Sequence, residues 1–373
     1  MRLTALRRRL ADADLLPASN AGAVRQIGRV EGRPEGERDL DISHVTDDSR
    51  AVEPGSLFVA VRGHEADGHD FIAQAVENGA AAVLCEALPE ASDADDETDS
   101  VGDRDAVVVR CRDTRAALAE TAAAFYGAPS CELKLVGVTG TNGKTTTAYL
   151  VRHTLRALGE RSALIGTVET DLGAGATEAA LTTPGPLQLQ QMLRTATDNG
   201  CTAGAMEVSS HALDQDRTRA TRFAAGVFTN LTPEHLDYHG TLENYRAAKK
   251  RLFDTLPAAG VAIYNADDAA GEVVVRDTPA RKISFGETGD VPLRVQDNRL
   301  DGLRLALDGA APRRFRLVGR FNAYNLAAAY AVARAMGYEQ GETLDALAEA
   351  PPVPGRFEQV RFPATDGEGA SES

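Results

Sequence analysis

The stretch Leu133-Lys-Leu-Val-Gly-Val-Thr-Gly-Thr-Asn-Gly-Lys-Thr-Thr146 decides how this chain folds. Residues 133–138 form an apolar run broken only by Lys134, the pattern of a strand buried on both faces of a parallel sheet. A glycine-rich turn follows, and a helical pattern runs over 145–158. Gly140 and Gly143 let backbone amides approach phosphate oxygens at a helix start. Lys144 can reach the β- and γ-phosphates of a nucleotide, and the Thr145 hydroxyl can bind Mg²⁺. The usual GxxxxGK[ST] spacing would put glycine at 138, where Val138 stands, so the loop is a variant.

Outward from this loop, strands alternate with helical patterns. Strand candidates are 80–84, 106–109, 162–165, 203–208, 224–229 and 261–264, and helices are expected over 71–79, 113–126 and 322–336. Asp113 is placed to cap the second of these, and Gly127-Ala128-Pro129 to end it. After Ile283 the text turns β-rich and polar. The class is therefore α/β. A small α/β domain over 1–112 precedes a P-loop-type domain over 113–350 with a mostly parallel, doubly wound sheet, whose ligands bind at the strands' carboxyl ends. Residues 351–373 read as a linker and stub, and 90–105 as an acidic, solvated loop.

Composition narrows the partners. The formal net charge of -15 excludes nucleic acid as the main one, since phosphate contacts need a basic surface. Only Lys134, Lys144, Lys249, Lys250 and Lys282 are lysines, a bias that fits salt adaptation or a GC-rich source equally. Cys85, Cys111, Cys131 and Cys201 show no CxxC spacing and read as buried free thiols in a reducing compartment. No apolar run reaches membrane-spanning length, and Asp12 and Asp14 interrupt what would be a leader, so a cytoplasmic, monomeric protein with an ordinary first helix is expected.

The sequence around the loop, Thr139-Gly-Thr-Asn-Gly-Lys-Thr145, resembles the Mur ligase and folylpolyglutamate synthetase superfamily. Four further segments bring the resemblance to the Mur ligases over about 40–360. They are Thr46-Asp-Asp-Ser-Arg50 with Gly55 to Gly68, Leu181-Thr-Thr-Pro184, Met206-Glu-Val-Ser-Ser-His-Ala-Leu-Asp-Gln-Asp-Arg217, and Phe228 to Gly240 leading into Tyr245 to Phe253. The first segment stands against the folylpolyglutamate synthetases, which lack the UDP-binding domain.

The resemblance implies an ATP- and Mg²⁺-dependent ligase that phosphorylates a carboxylate and lets an amine attack the acyl phosphate. The substrate implied is UDP-N-acetylmuramoyl-L-alanyl-D-glutamate, in peptidoglycan precursor synthesis, and the amine a diamino acid, meso-diaminopimelate ahead of L-lysine. ATP contacts would come from Gly140, Thr141, Asn142, Gly143, Lys144, Thr145, Thr146, Asn325 and Arg356. The UDP-peptide would meet Asp47, Ser49, His64, Glu65 and Ala66 in the first domain, and Thr182, Thr183, Ser209, Gln215 and Arg217 in the second. The metal would lie with Thr145, Glu207, His211 and a carbamylated Lys249. Lys144, Glu207, His211 and Lys249 would form the catalytic set. His235, Asp237 and His239 rank below Glu207 as ligand sources. Thr183 could instead cap a helix ahead of Pro184, and Asn322 the helix that carries Asn325.

Family members continue past the Pro351-Pro-Val-Pro-Gly-Arg356 region into a third domain that binds the amino acid, whereas this sequence stops at Ser373. A related Mur or pseudomurein peptide ligase, or a non-catalytic protein that binds ATP and a UDP-sugar, are the alternatives.

Overall fold

The computed structural model describes residues 1–17, 24–27, 39–63, 66–87 and 106–355. The acidic stretch 90–105, His64, Glu65 and Arg356 lie outside these residues.

Two sheets organise the chain. The first contains β1 (Val24–Ile27), β2 (His44–Thr46), β3 (Ser56–Val59), β4 (Ala82–Cys85) and β5 (Ala106–Arg110), in the order β1-β5-β4-β3-β2. Strands β2 to β5 run parallel and β1 pairs antiparallel with β5. Helices α1 (Leu3–Asp12) and α3 (Thr114–Phe125) share a core with one face, and α2 (Ile72–Glu77) packs on the other. Asp113 caps α3 as expected, its carboxylate accepting from the Ala116 amide at 3.0 Å. Ala116, Ala117 and Leu118 of α3 are buried with Leu3, Leu6 and Leu10 of α1. A boundary at 112 would cut this core, so we propose that the division runs after Gly127, where left-handed Gly127 and Ala128 end the helix.

The second sheet has eleven strands: β6 (Lys134–Thr139), β7 (Ser162–Ile165), β8 (Glu169–Asp171), β9 (Ala176–Glu178), β10 (Ala203–Glu207), β11 (Ala225–Phe228), β12 (Val261–Asn265), β13 (Arg281–Gly286), β14 (Val291–Arg299), β15 (Gly302–Leu307) and β16 (Arg313–Phe315). Their order is β16-β15-β14-β13-β12-β11-β6-β10-β7-β8-β9. Along this order the run β14-β13-β12-β11-β6-β10-β7 is parallel, while β7-β8-β9 at one margin and β14-β15-β16 at the other pair antiparallel.

Helices α4 (Lys144–Ala157), α10 (Arg320–Ala335) and α11 (Gln340–Ala348) cover one face. Helices α5 (Pro186–Asp198), α8 (Leu242–Asp254) and α9 (Gly271–Val274) cover the other. Short helices α6 (Ser210–Asp214) and α7 (Leu236–His239) follow the ends of β10 and β11. Strand β6 lies between β10 and β11, so the loop after it opens at the point where the winding reverses, the place where such sheets bind ligands.

Two capping expectations are corrected. Helix α5 begins at Pro186 behind Gly185, so Thr183 does not cap it. Helix α10 begins at Arg320 behind Gly319, whose φ of +97° suits glycine; Asn322 lies inside the first turn and its amide donates to the Val318 carbonyl at 2.7 Å. In both cases a glycine takes the cap, and the polar side chain is held elsewhere.

Candidate active site

The loop between β6 and α4 is held from the neighbouring strand end. The Thr141 amide donates to the Asn230 carbonyl at 2.9 Å, and the Asn142 amide to the Asn230 side-chain oxygen at 2.9 Å. Thr229 Oγ1 donates to the Asn142 carbonyl at 2.6 Å. These two amides therefore shape the loop, and Lys144 to Thr146 at the start of α4 line the cavity beside it, where a helix start suits an anion. Gly140 has φ +145°, and a Cβ there would stand 1.9 Å from Thr229 Oγ1. At Gly143, with φ +86°, a Cβ would stand 2.5 Å from Asn325 Oδ1. Lys144 Nζ lies over the loop, donating to the Gly140 and Thr141 carbonyls at 3.0 and 2.8 Å.

Glu207 ends β10 beside this loop and is 1 % exposed. A buried carboxylate needs donors, and it has them. Thr145 Oγ1 reaches Oε2 at 2.9 Å, Thr167 Oγ1 reaches Oε2 at 3.1 Å, and the Thr167 amide reaches Oε1 at 2.7 Å. The Thr183 hydroxyl donates to the Glu207 backbone carbonyl at 2.9 Å and accepts from the Ser209 amide at 3.1 Å. Arg217 donates to the Thr183 carbonyl at 3.0 Å and to the Gln215 side-chain oxygen at 2.7 Å.

Lys249, on α8, is 1 % exposed and donates to the Gly140 carbonyl at 2.9 Å. Its Nζ sits 4.2 Å from the Tyr245 ring centroid. Burial, reinforced by the Lys144 charge, pushes its pKa down to about 6, so the amine is mostly uncharged at neutral pH. His211 packs against the His235, Tyr238 and His239 rings, with centroids 4.9, 4.3 and 5.4 Å away. Burial, then the neighbouring histidines, lowers its pKa and favours neutral imidazole.

A cavity of about 540 Å³ joins these groups. Lys144, Glu207, His211 and Lys249 all line it, with Thr141 to Thr146, Thr182, Thr183, Ser209 and Arg217. Gln215 stands behind Arg217 as its brace. Asn325 is buried beneath the loop, accepting from Thr147 Oγ1 at 3.2 Å and donating to Asn322 Oδ1 at 2.8 Å. Its side chain thereby bridges α10 and α4. In the first sheet's unit, Asp47 and Ala66 are exposed, while Ser49 is buried and donates to Gln74 Oε1 at 3.0 Å.

Sequence reading gave no role to Thr167, Thr229, Asn230, Glu234 or Tyr245. Four of these lie in the quoted Phe228–Phe253 segment, whereas Thr167 is one threonine after a strand, without a pattern to mark it. Among the described residues, no group of three His, Cys, Asp or Glu side chains is arranged to hold a metal.

Two family models match the chain: the Mur ligase middle domain over 138–333, and the Mur ligase family, catalytic domain, over 41–126. A UDP-N-acetylmuramoyl-L-alanyl-D-glutamate–2,6-diaminopimelate ligase of Cytophaga hutchinsonii is 42% identical over 326 residues, 87% of this chain and 65% of that protein. One of the same name from Chlorobaculum tepidum is 43% identical over 366 residues, 93% of this chain and 68% of that protein. A solved structure of a ligase of that name superposes with TM-score 0.74 at 27% identity, covering 89% of this chain and 67% of that one. The chain thus spans about two thirds of the length of the curated relatives it matches, 65% for the first and 66% for the second. With one family model reaching from the end of β6 into α10, the other covering residues 41–126 of the first sheet's unit, and relatives this similar across both, the chain belongs to the Mur ligase family.

Proposed function

We propose that the chain works as an ATP-dependent amide ligase. It joins a diamino acid, meso-diaminopimelate ahead of L-lysine, to UDP-N-acetylmuramoyl-L-alanyl-D-glutamate in peptidoglycan precursor synthesis, as a monomer in the cytoplasm. Among the described residues no helix is long and apolar enough to cross a membrane. The observation that carries this reading is one cavity lined by both the phosphate loop, Thr141 to Thr146, and the Thr182–Thr183–Arg217 group.

In this reading Lys144 and the first-turn amides of α4 hold the nucleotide phosphates. Arg217, braced by Gln215 and the Thr183 carbonyl, presents its guanidinium to the substrate's carboxylates. The substrate carboxylate attacks the γ-phosphorus and ADP leaves; the amine then attacks the acyl carbon and phosphate leaves.

The donors suit Mg²⁺: a buried carboxylate with a threonine hydroxyl 2.9 Å away, beside a neutral imidazole. His235, packed edge-to-face against His211, lines the same wall. Mg²⁺ held there would offset repulsion between the two anions. Lys249 fits the carbamate reading, because its uncharged amine can add to CO₂ with loss of a proton, becoming an anion beside the loop.

The test is phosphate release from ATP and Mg²⁺ in the presence of the UDP-dipeptide, with diaminopimelate or L-lysine as acceptor. Release that requires the UDP-dipeptide supports the ligase. Tight binding of both ATP and the UDP-dipeptide with no release leaves a non-catalytic binder in its place. Gly140→Ala should weaken ATP binding by tenfold or more in calorimetry, because its Cβ would collide with Thr229 Oγ1, which holds the loop. An unchanged affinity would show that the loop can move away at no cost.

A further inference from the structure

Glu207 is braced from a segment outside the nucleotide loop. Gly166 and Thr167 lie between β7 and β8. A Cβ at Gly166 would stand 2.7 Å from Glu207 Oε1, so the backbone passes against the carboxylate only because that residue is glycine. Thr167 then supplies two donors, its amide to Oε1 at 2.7 Å and its hydroxyl to Oε2 at 3.1 Å. The same hydroxyl lies 3.1 Å from Thr182 Oγ1. A hydroxyl carries one proton, so Thr167 Oγ1 has both Glu207 Oε2 and Thr182 Oγ1 within reach of that proton and links the two groups. Thr145 gives the remaining donor to Oε2, and that hydroxyl must turn if it is to meet a metal.

The segment is anchored. Strand β8 is clamped to α4 by Arg152 to Glu169 and to Asp171, both at 3.1 Å, and by Arg156 to Asp171 at 3.0 Å. The Arg152 and Asp171 side chains are largely buried. The helix that begins with Lys144 and the segment that carries Thr167 are therefore one mechanical piece.

We propose that Thr167 is a positioning residue: it orients the Glu207 carboxylate toward a divalent cation and connects that carboxylate to the substrate-side loop through Thr182. This rests on reading the cavity as a metal–nucleotide site. Residues that hold a metal ligand from behind set its affinity as well as its direction. Thr167 is exposed, so its replacement does not open the core.

The experiment titrates Mn²⁺ into the chain with ADP present and follows the free Mn²⁺ signal by electron paramagnetic resonance. It compares the unaltered chain with Thr167→Val, which keeps the amide and shape, and Thr167→Ser, which keeps the hydroxyl. Thr167→Val should weaken Mn²⁺ about tenfold, and Thr167→Ser should match the unaltered chain. Equal affinity in all three overturns the role of Thr167 and leaves the metal site standing. Equal weakening in Val and Ser variants also overturns it, because the hydroxyl would then not be the cause. If the unaltered chain binds no Mn²⁺ with ADP, the metal reading falls and takes this proposal with it.

Discussion

Lys144→Met should reduce ATP affinity by a hundredfold or more and abolish phosphate release, with little change in melting temperature. The ammonium is already held above the loop by the Gly140 and Thr141 carbonyls at 3.0 and 2.8 Å, so little reorganisation separates it from a phosphate. Methionine keeps a similar length and removes the charge. Losing one preorganised donor at a developing charge commonly costs about 10²–10³ in rate, and here the lost group is a full cation facing phosphate oxygens. Calorimetry with ATP and Mg²⁺, beside the phosphate-release assay, measures both effects. Near-normal affinity in the variant would mean that the amides of α4 carry the binding alone.

Lys249→Met should raise stability at neutral pH and abolish turnover. Burial lowers the Lys249 pKa from 10.5 to about 6. Between these values the unfolded chain binds a proton that the folded chain does not, so unfolding stability rises with pH across that window. The slope from this group alone is at most roughly 1.4 kcal/mol per pH unit. Below pH 6 both states are protonated and the penalty is fully present; above 10.5 it is gone. In CO₂-free buffer, chemical melts at pH 7 and pH 9 should therefore show the variant more stable than the unaltered chain, by a margin that narrows as pH rises. A margin independent of pH would show that Lys249 is charged in the folded state. Bicarbonate should increase turnover of the unaltered chain and leave the variant inactive, as the carbamate reading requires.

The buried run 133–138 and the glycine turn after it announce a strand, a phosphate loop and a helix, and the structure has β6 and α4 within a residue of those bounds. Strand 162–165 is found with the same limits. The margins were less legible. Strands β8 and β9 have three residues each, too short for a period to show, and β9 is fully exposed. They form because the parallel sheet offers β7 as an edge, and hydrogen bonding to that edge outweighs weak local preference. The caps also misled. Thr183 and Asn322 are good capping residues by type, but Thr183 finds better partners in the Glu207 carbonyl and Ser209 amide, and Asn322 in Asn325 and Val318.

For the site, local sequence determined the kinds of chemistry: a glycine-bounded lysine, a carboxylate at a strand end, hydroxyl pairs and an arginine for anionic groups. Each of these follows from residue type and from position relative to a strand or helix, which neighbouring residues dictate. Only the tertiary structure decided what those groups touch. It lowered the Lys249 pKa by burying that amine against Gly140 and Tyr245, 109 residues from the loop for the first of these contacts. It set Asn325 under Gly143, 178 residues from its partner Thr147. It also brought Thr167 to Glu207, an unmarked residue made functional by the pairing of β10 with β7. Burial and long-range pairing depend on strand order, and strand order is a property of the whole chain.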